Sequence, residues 1–206
     1  MANTPLRGRP QASSREMLQE AAFELFLENG YEATTIGQIT QRAGVSRNTF
    51  FNYFASKSDV FWIDLDASLA TVSARLLNAP LDTPAITVVR DALVAGAREL
   101  GPLSVPWALT QHELIGGATD LQTSAMTRLG EQFRAIEHFL LTRSDASPLL
   151  AKSTAYAALG AAVAAAQSWA AAGTTRGELE PYVLEALRPV SEGFVIAVES
   201  VPALRP

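Results

Sequence analysis

The sequence contains no cysteine and only two histidines. The missing thiols exclude disulfide bonds, thiolate metal sites, cysteine nucleophiles and thiol redox sensing. Neither His112 nor His138 has metal-ligand spacing with its acidic neighbours on one helical face, so we expect no metal. A glycine-rich phosphate loop and a serine nucleophile on a strand-turn-helix elbow are also missing. We therefore expect no enzymatic activity and no cofactor.

Basic residues are scarce as well. The chain has 16 Lys and Arg against 21 Asp and Glu, which gives a net charge of -5. A generally basic nucleic-acid binder is thereby disfavoured. Residues 33–58 nevertheless contain Arg42, Arg47 and Lys57 and no acidic residue. Such a surface approaches phosphate without repulsion, although chance in a short window is the alternative explanation.

Long hydrophobic runs are absent too. The longest apolar stretch, residues 155–166, is broken by Gly160 and is shorter than the roughly 20 residues that span a bilayer. The first residues lack the apolar segment of a signal peptide. With 48% hydrophobic residues the chain has enough apolar surface for a core. We expect a soluble cytoplasmic protein without a membrane partner.

The hydrophobic spacing predicts an all-α protein of about nine helices, without a convincing strand. The first helix has one apolar face, and the pair Asn29-Gly30 ends it. Helices are further expected over residues 56–78, 84–101, 107–115, 120–143, 148–173 and 178–200, and the pair Ser147-Pro148 opens the fifth of these. The apolar face of the first helix consists of Leu18, Ala21, Ala22, Leu25 and Phe26.

Two short helices between residues 35 and 54 have the spacing of a helix-turn-helix. Thr35 and Gln38 have the spacing of a capping box, Gly44 ends that helix, and Ser46 caps the next one. In such a motif the second helix enters the major groove of DNA. An ordinary helical hairpin is the alternative, but the outer face is polar. Phe50 and Phe54 are expected in the core, and Phe51 either in the core or facing outward.

These elements divide the chain into three parts. We expect a flexible basic arm over residues 1–12, a DNA-binding domain over residues 13–56, and a ligand-binding and dimerisation domain over residues 57–206. The third part carries most of the surplus apolar residues, which suits a pocket between helices, although a core role is the alternative for each of them. The candidate pocket residues are Trp62, Leu65, Trp107, Gln111, His112, Phe133, Ile136, Tyr156 and Trp169.

The last two predicted helices have the composition of an association surface. Small residues allow close backbone approach, and the final helix has a long apolar face. Paired across a two-fold axis, they form a four-helix interface. The candidate interface residues are Ala158, Ala161, Ala165, Leu184, Leu187 and Phe194.

Four segments together resemble the DNA-binding domain of the TetR family of transcriptional regulators. They are residues 33–36, 43–46, 49–54 and 56–59, and the resemblance covers roughly residues 15–61. It implies a homodimer of nine- or ten-helix subunits that binds a near-palindromic operator. It also implies a C-terminal domain that binds a small hydrophobic effector, and repression as the commoner mode of regulation.

A narrower resemblance extends through residues 49–60 to Trp62, Asp64 and Asp66. These residues are similar to the mycofactocin-system regulator subgroup. That subgroup is associated with long-chain acyl-CoA, so the resemblance implies an acyl-CoA effector.

The family resemblance also implies a role for each candidate DNA-binding residue. Arginine recognises guanine and asparagine recognises adenine in the major groove. A threonine offers its methyl group to thymine, a helix N-terminus attracts phosphate, and a basic arm enters the minor groove. A merely disordered tail is the alternative for the arm. The residues are Arg47, Asn48, Asn52 and Thr49 for bases, Tyr53, Lys57 and Thr35 for phosphates, and Arg7 and Arg9 for the minor groove.

Two other classes of protein remain as alternatives. One is an all-helical carrier of lipid or another hydrophobic ligand, or an all-helical enzyme, without DNA function. The other is a DNA-binding scaffold with a vestigial pocket. Sequence-specific DNA binding, measured with and without hydrophobic ligands, discriminates between them.

Overall fold

The computed structural model describes residues 14–102, 105–110 and 118–200, with side chains through residue 194. Within these residues the chain forms nine α-helices and two 3₁₀ helices, and no strand. The all-α prediction is confirmed. The basic arm with Arg7 and Arg9, and the pair Gln111 and His112, lie outside the described residues.

The chain divides into two compact units, residues 1–61 and residues 62–206. The first ends beyond residue 56 because Val60 and Phe61 are buried in it, Phe61 beside the rings of Phe26 and Tyr31. A 3₁₀ helix over Ser58–Trp62 stands where the sequence predicted the start of one long helix. The helices of the first unit are α1 (Ser14–Asn29), α2 (Ile36–Arg42) and α3 (Arg47–Phe51).

The core of the first unit follows the predicted faces. Leu18 and Phe26 on α1 are buried, as are Phe50 and Phe54. Phe51 faces outward and is 47% exposed, which decides between the two alternatives for this residue. The Phe54 N–H donates a hydrogen bond to the Phe50 carbonyl at 3.0 Å in the turn that follows α3, and the two rings pack on the inner side with their centroids 5.2 Å apart.

The second unit contains the remaining helices. Helix α5 lies at its centre and packs against α4, α7, α8 and α9, while α8 packs against α7 and α9. Ser147 caps α8 by accepting a hydrogen bond from the Leu150 N–H, as the Ser147-Pro148 pair predicted. The helices are α4 (Ile63–Leu77), α5 (Ala85–Arg98), α6 (Trp107–Thr110), α7 (Thr119–Arg143), α8 (Pro148–Ala171) and α9 (Glu180–Ser200), with a 3₁₀ helix at Gly173–Thr175.

Helix α8 is longer than its uninterrupted apolar run. With 24 residues and a mean hydropathy of 1.4 in its most apolar window, it has the length and composition to cross a membrane. The sequence argument from length therefore does not hold for this helix. Core helices of soluble proteins have the same composition, and here Ala151, Ala155, Leu159 and Trp169 are buried in the core.

Helices α4 and α5 approach each other closely at Gly96. The Ser68 hydroxyl donates a hydrogen bond to the Gly96 carbonyl at 2.8 Å. A Cβ atom on Gly96 would lie 2.7 Å from Val72 Cγ2 and 3.0 Å from the Ser68 carbonyl oxygen. Val72 is buried and β-branched, so its side chain has little freedom to move away. Glycine is therefore required at this crossing.

Gly96→Ala is predicted to destabilise the second unit. The added methyl group overpacks the crossing, and overpacking of this kind costs about 1–3 kcal/mol in unfolding free energy. Urea denaturation followed by circular dichroism measures the change. Gly130→Ala is the control, because its nearest atom is Arg134 Nη1 at 3.5 Å and a helical alanine is favoured by about 0.5–1 kcal/mol. Equal stability of the two variants would contradict the assignment.

Candidate DNA interface and ligand pocket

Two side-chain caps set the starts of the helices in the helix-turn-helix. Thr35 Oγ1 accepts a hydrogen bond from the Gln38 N–H at 3.2 Å, and Gln38 Oε1 accepts one from the Thr35 N–H at 2.8 Å. Ser46 Oγ accepts a hydrogen bond from the Thr49 N–H at 3.0 Å. Between the helices, Gly44 has a φ of 68°, a left-handed conformation that favours glycine. The predicted capping box and N-cap are confirmed.

The outer face of α3 and its C-terminal cap is polar and exposed. Arg47, Asn48, Asn52 and Tyr53 are all exposed. The Arg47 guanidinium lies 5.7 Å from the centroid of the Phe51 ring, a cation–π contact that orients the side chain. This face offers the guanidinium and amide groups that read base edges in a major groove.

The hydroxyl groups of the two candidate threonines form hydrogen bonds at the N-termini of α2 and α3. Thr49 is half-buried, and its hydroxyl lies 2.9 Å from Ser46 Oγ, with which it shares a hydrogen bond. Thr35 is exposed, and its hydroxyl donates to Gln38 Oε1 at 2.8 Å. Their methyl groups and backbone remain near the surface, while the hydroxyls serve the helix starts.

Arg42 and Lys57 have partners inside the first unit. Arg42 donates hydrogen bonds to Glu24 at 3.0 Å and to Glu28 at 2.7 Å on α1. The hydrogen bond from Arg42 to Glu28 lowers the pKa of the Glu28 carboxyl below its ordinary value. Residues 33–58 contain no acidic residue, but in the folded unit Arg42 lies beside the carboxylates of Glu24 and Glu28 on α1. Sequence reasoning missed this because it counted charges along the chain and not across α1 and α2.

Lys57 holds the turn between α1 and α2. Its ammonium donates hydrogen bonds to the Tyr31 carbonyl at 2.6 Å and to the Thr34 carbonyl at 3.0 Å. It also lies 3.9 Å from the centroid of the Tyr31 ring. The Thr34 hydroxyl donates to the Leu25 carbonyl at 3.1 Å and to the Gly30 carbonyl at 2.8 Å. Lys57 thus acts on the position of α2 through the backbone that precedes it.

Lys57→Met is predicted to lower the stability of the first unit. It keeps the length of the side chain but leaves two carbonyls without a charged donor, and hydrogen bonds to charged groups contribute about 1.5–3 kcal/mol. Thermal unfolding measures the effect. Lys152→Met, at an exposed position on α8, is the control and is expected to stay within about 0.5 kcal/mol of wild type. A Lys57→Met protein as stable as this control would contradict the structural role.

The second unit contains an apolar cavity of about 250 Å³. Helices α4 to α9 all contribute to its wall, and the few polar side chains are Ser68, Arg128, Gln167 and the indole of Trp62. Such a lining suits a hydrophobic ligand fixed by a few polar contacts. Its described lining consists of Trp62, Leu65, Ser68, Leu69, Val72, Leu93, Ala97, Leu100, Ala108, Leu109, Ala125, Arg128, Leu129, Leu159, Ala162, Val163, Ala166, Gln167, Leu179 and Val183.

Arg128 carries the charge in this wall. It donates from Nε to Asp66 Oδ1 at 2.6 Å and from Nη2 to Asp66 Oδ2 at 2.9 Å. Nη1 donates to Ser124 Oγ, and the Trp62 ring lies 5.3 Å from the guanidinium carbon. Sequence reasoning did not name Arg128. The available signal was its place seven residues after Leu121 and eight before Ile136, on the inner face of α7.

The structure places only some of the candidate pocket residues at the cavity. Trp62 and Leu65 line it, and Trp107 is half-buried next to its wall residues Ala108 and Leu109. Phe133 and Tyr156 line a separate recess of about 180 Å³ between α7 and α8, with ring centroids 4.3 Å apart.

Ile136 and Trp169 are fully buried in the core and do not line the cavity. The Trp169 Nε1–H donates to the Gly177 carbonyl at 2.9 Å, so the indole anchors the chain after α8. Their assignment to the ligand site is therefore replaced by a packing role. The physical reason is that a large apolar residue at helical spacing has the same pattern in a core as in a pocket wall.

The structure buries some of the candidate interface residues and leaves others at least partly exposed. Ala158, Ala165 and Leu187 are buried within the protomer and face its own core, so they are not available to a partner. Leu184 is 42% exposed, and Ala161 and Phe194 are half-buried. Because α8 is rich in alanine, its sequence does not show which side faces inward.

Comparison with known proteins bears on both units. Residues 18–61 match the family described as bacterial regulatory proteins, tetR family. Residues 83–195, more than half of the chain, match the MftR C-terminal domain. The chain belongs to the TetR family of transcriptional regulators. Members of this family are ligand-responsive transcriptional regulators and not enzymes. In the family the N-terminal unit binds DNA and the C-terminal unit binds the ligand.

Individual relatives and solved structures are consistent with membership of this family. A Mycobacterium tuberculosis protein named as a mycofactocin biosynthesis transcriptional regulator, MftR, is 26% identical over 167 residues, covering 79% of this chain and 82% of that protein. Thermus thermophilus FadR, a TetR-family repressor crystallised with lauroyl-CoA, is 27% identical with a TM-score of 0.51 and covers 93% of this chain and 100% of its own. NalD, the secondary repressor of the MexAB-OprM efflux pump in Pseudomonas aeruginosa, has a TM-score of 0.59 at 18% identity, covering 87% and 96%, and shows the shared fold alone.

Proposed function

We propose that this TetR-family regulator is a repressor that binds a near-palindromic operator as a homodimer and is released by a long-chain acyl-CoA. The main support for the proposal is the apolar cavity in the second unit. Among its described lining residues, Arg128 is the only one with a charge. A cytoplasmic location accompanies this function, because the operator is chromosomal DNA.

The exposed face of α3 supports the DNA-binding part. Arg47 suits a bidentate contact to guanine, and Asn48 or Asn52 suits adenine. Tyr53, 47% exposed, offers its hydroxyl to a phosphate. Thr35 presents the N-terminus of α2 to the backbone of the duplex. Lys57 remains the second proposed phosphate contact, and its hydrogen bonds to the Tyr31 and Thr34 carbonyls also hold the turn that positions α2.

The cavity and the relatives support the effector. An acyl chain is the kind of ligand that an almost wholly apolar wall binds by burial, at about 0.8 kcal/mol per methylene group. The T. thermophilus relative was crystallised with lauroyl-CoA, and the second unit here matches the MftR C-terminal domain. A recess of about 430 Å³ shares Ala108, Leu109 and Gln167 with the cavity, which extends the space for a long chain.

The exposed sides of α8 and α9 support the homodimer. Tyr156 is 52% exposed and Leu184 is 42% exposed, with Gly160 and Ala164 also at the surface of α8. A two-fold axis through this surface would pair two copies of α3. Their spacing should then equal one DNA turn of about 34–36 Å, or a multiple of it.

One variant in α3 and one just after it separate base reading from phosphate contact. Arg47→Ala is predicted to cost about 1–3 kcal/mol of binding and to relax preference at one base pair of each half-site. Tyr53→Phe should weaken binding to all sequences equally, since a phosphate contact carries no sequence information. Fluorescence anisotropy with single-base variants of the upstream DNA, at one fixed salt concentration, measures both. A Tyr53→Phe protein with altered base preference would contradict the phosphate assignment.

Filling the cavity tests the effector. Ala162→Phe places a ring in the space proposed for the acyl chain, so oleoyl-CoA should no longer release the operator, while operator affinity stays close to wild type. Ala74→Phe, at an exposed position on α4, is the control and should still respond. Free coenzyme A should release neither protein. Release of Ala162→Phe at the wild-type oleoyl-CoA concentration would place the effector elsewhere.

A further inference from the structure

The cavity wall contains a charge that is already neutralised. Among the described lining residues Arg128 is the one with a charge. Its side chain is 16% exposed, and Asp66 accepts from two of its nitrogens, at 2.6 and 2.9 Å. The pair is bidentate, the strongest common arrangement of arginine and carboxylate. Asp66 is 41% exposed and is not among the residues that line the cavity, so the cavity presents to a ligand a guanidinium that a neighbouring carboxylate already neutralises.

The surroundings restrict movement of the guanidinium. Ser124 accepts a hydrogen bond from Nη1, and Trp62 covers one side at 5.3 Å. Asp66 lies on α4 and Arg128 on α7, so the pair also joins two walls of the cavity. An anionic ligand could recruit Arg128 only by displacing Asp66 or by adding a second carboxylate beside it.

Both routes are unfavourable. Displacement leaves Asp66 without its charged donor, and addition places two negative charges within a few ångströms. A free carboxylate must also lose its hydration to enter an apolar cavity. A ligand that places an uncharged ester or thioester beside Arg128, with its acyl chain in the cavity, meets none of these costs. The ion pair thus discriminates by charge while the apolar wall binds the chain.

We propose that Asp66 is the specificity-determining residue of the cavity. By neutralising Arg128 it admits acyl chains that end in an uncharged ester or thioester and excludes free fatty acids. The inference rests on the proposed acyl effector and deepens it. It predicts that the regulator senses activated acyl chains and ignores the corresponding acids.

Direct ligand binding tests the inference without DNA. Isothermal titration of the full chain with methyl decanoate and with decanoate compares one chain length with and without charge. Wild type is expected to bind the ester at least about tenfold more tightly than the acid. In Asp66→Asn, Arg128 loses its bidentate carboxylate and can pair with the ligand carboxylate in its place. The acid should therefore gain about tenfold or more in affinity, the value of one charge-assisted hydrogen bond, while ester binding changes less than about threefold.

Three further variants make the result specific. Asp82→Asn removes the same charge from an exposed site and should keep the wild-type ratio of ester to acid. The double variant Asp66→Asn with Arg128→Gln should lose the gain for the acid, because the gain acts through Arg128. Asp66→Ser removes the charge with a different side chain and should reproduce the Asp66→Asn shift, which keeps the test available if one variant folds poorly.

Each outcome decides between the proposals. An unchanged ratio in both Asp66 variants, with native circular dichroism, would overturn the specificity role. Equal wild-type affinity for acid and ester would overturn it too, and operator release by acyl-CoA would then leave the proposed function standing. Failure of wild type to bind either ligand would count against the acyl effector as well as against this inference.

Discussion

The close crossing of α4 and α5 at Gly96 is the contact on which the second unit depends. Helix α5 is buried along nearly its whole length, so α4 must pack directly against it. The same seam forms part of the cavity wall, because Ser68, Val72, Leu93 and Ala97 line the cavity. The hydrogen bond from Ser68 to the Gly96 carbonyl therefore fixes the fold and one side of the pocket together. A change in the distance between α4 and α7 acts on Asp66 and Arg128 as well.

The first unit is organised by polar contacts at its turns. Thr34 and Lys57 donate hydrogen bonds to carbonyls of α1 and of the turn that follows it, and Arg42 binds two carboxylates of α1. Most of the cations near the motif thus stabilise its shape, and the exposed face of α3 is left to Arg47 and the two asparagines.

The sequence predicts the fold well where local chemistry decides. The caps at Thr35, Ser46 and Ser147 and the inner positions of Phe50 and Phe54 were all readable, since each depends on residues within a few positions of one another. Contacts between residues far apart in the chain could not be predicted from the sequence. The pairing of Arg128 with Asp66 spans 62 residues, and the alanines of α8 do not distinguish its buried side from its exposed side.

We propose that operator DNA and acyl-CoA oppose each other through one coupling free energy. Reciprocity requires that each ligand weaken the other by the same factor. The most direct measurement is the affinity of oleoyl-CoA for the free protein and for the operator-saturated protein, set beside operator affinity with and without oleoyl-CoA. We predict equal factors in the two directions, of about 5–150-fold. Equal oleoyl-CoA affinity for the free and the operator-bound protein would contradict the account.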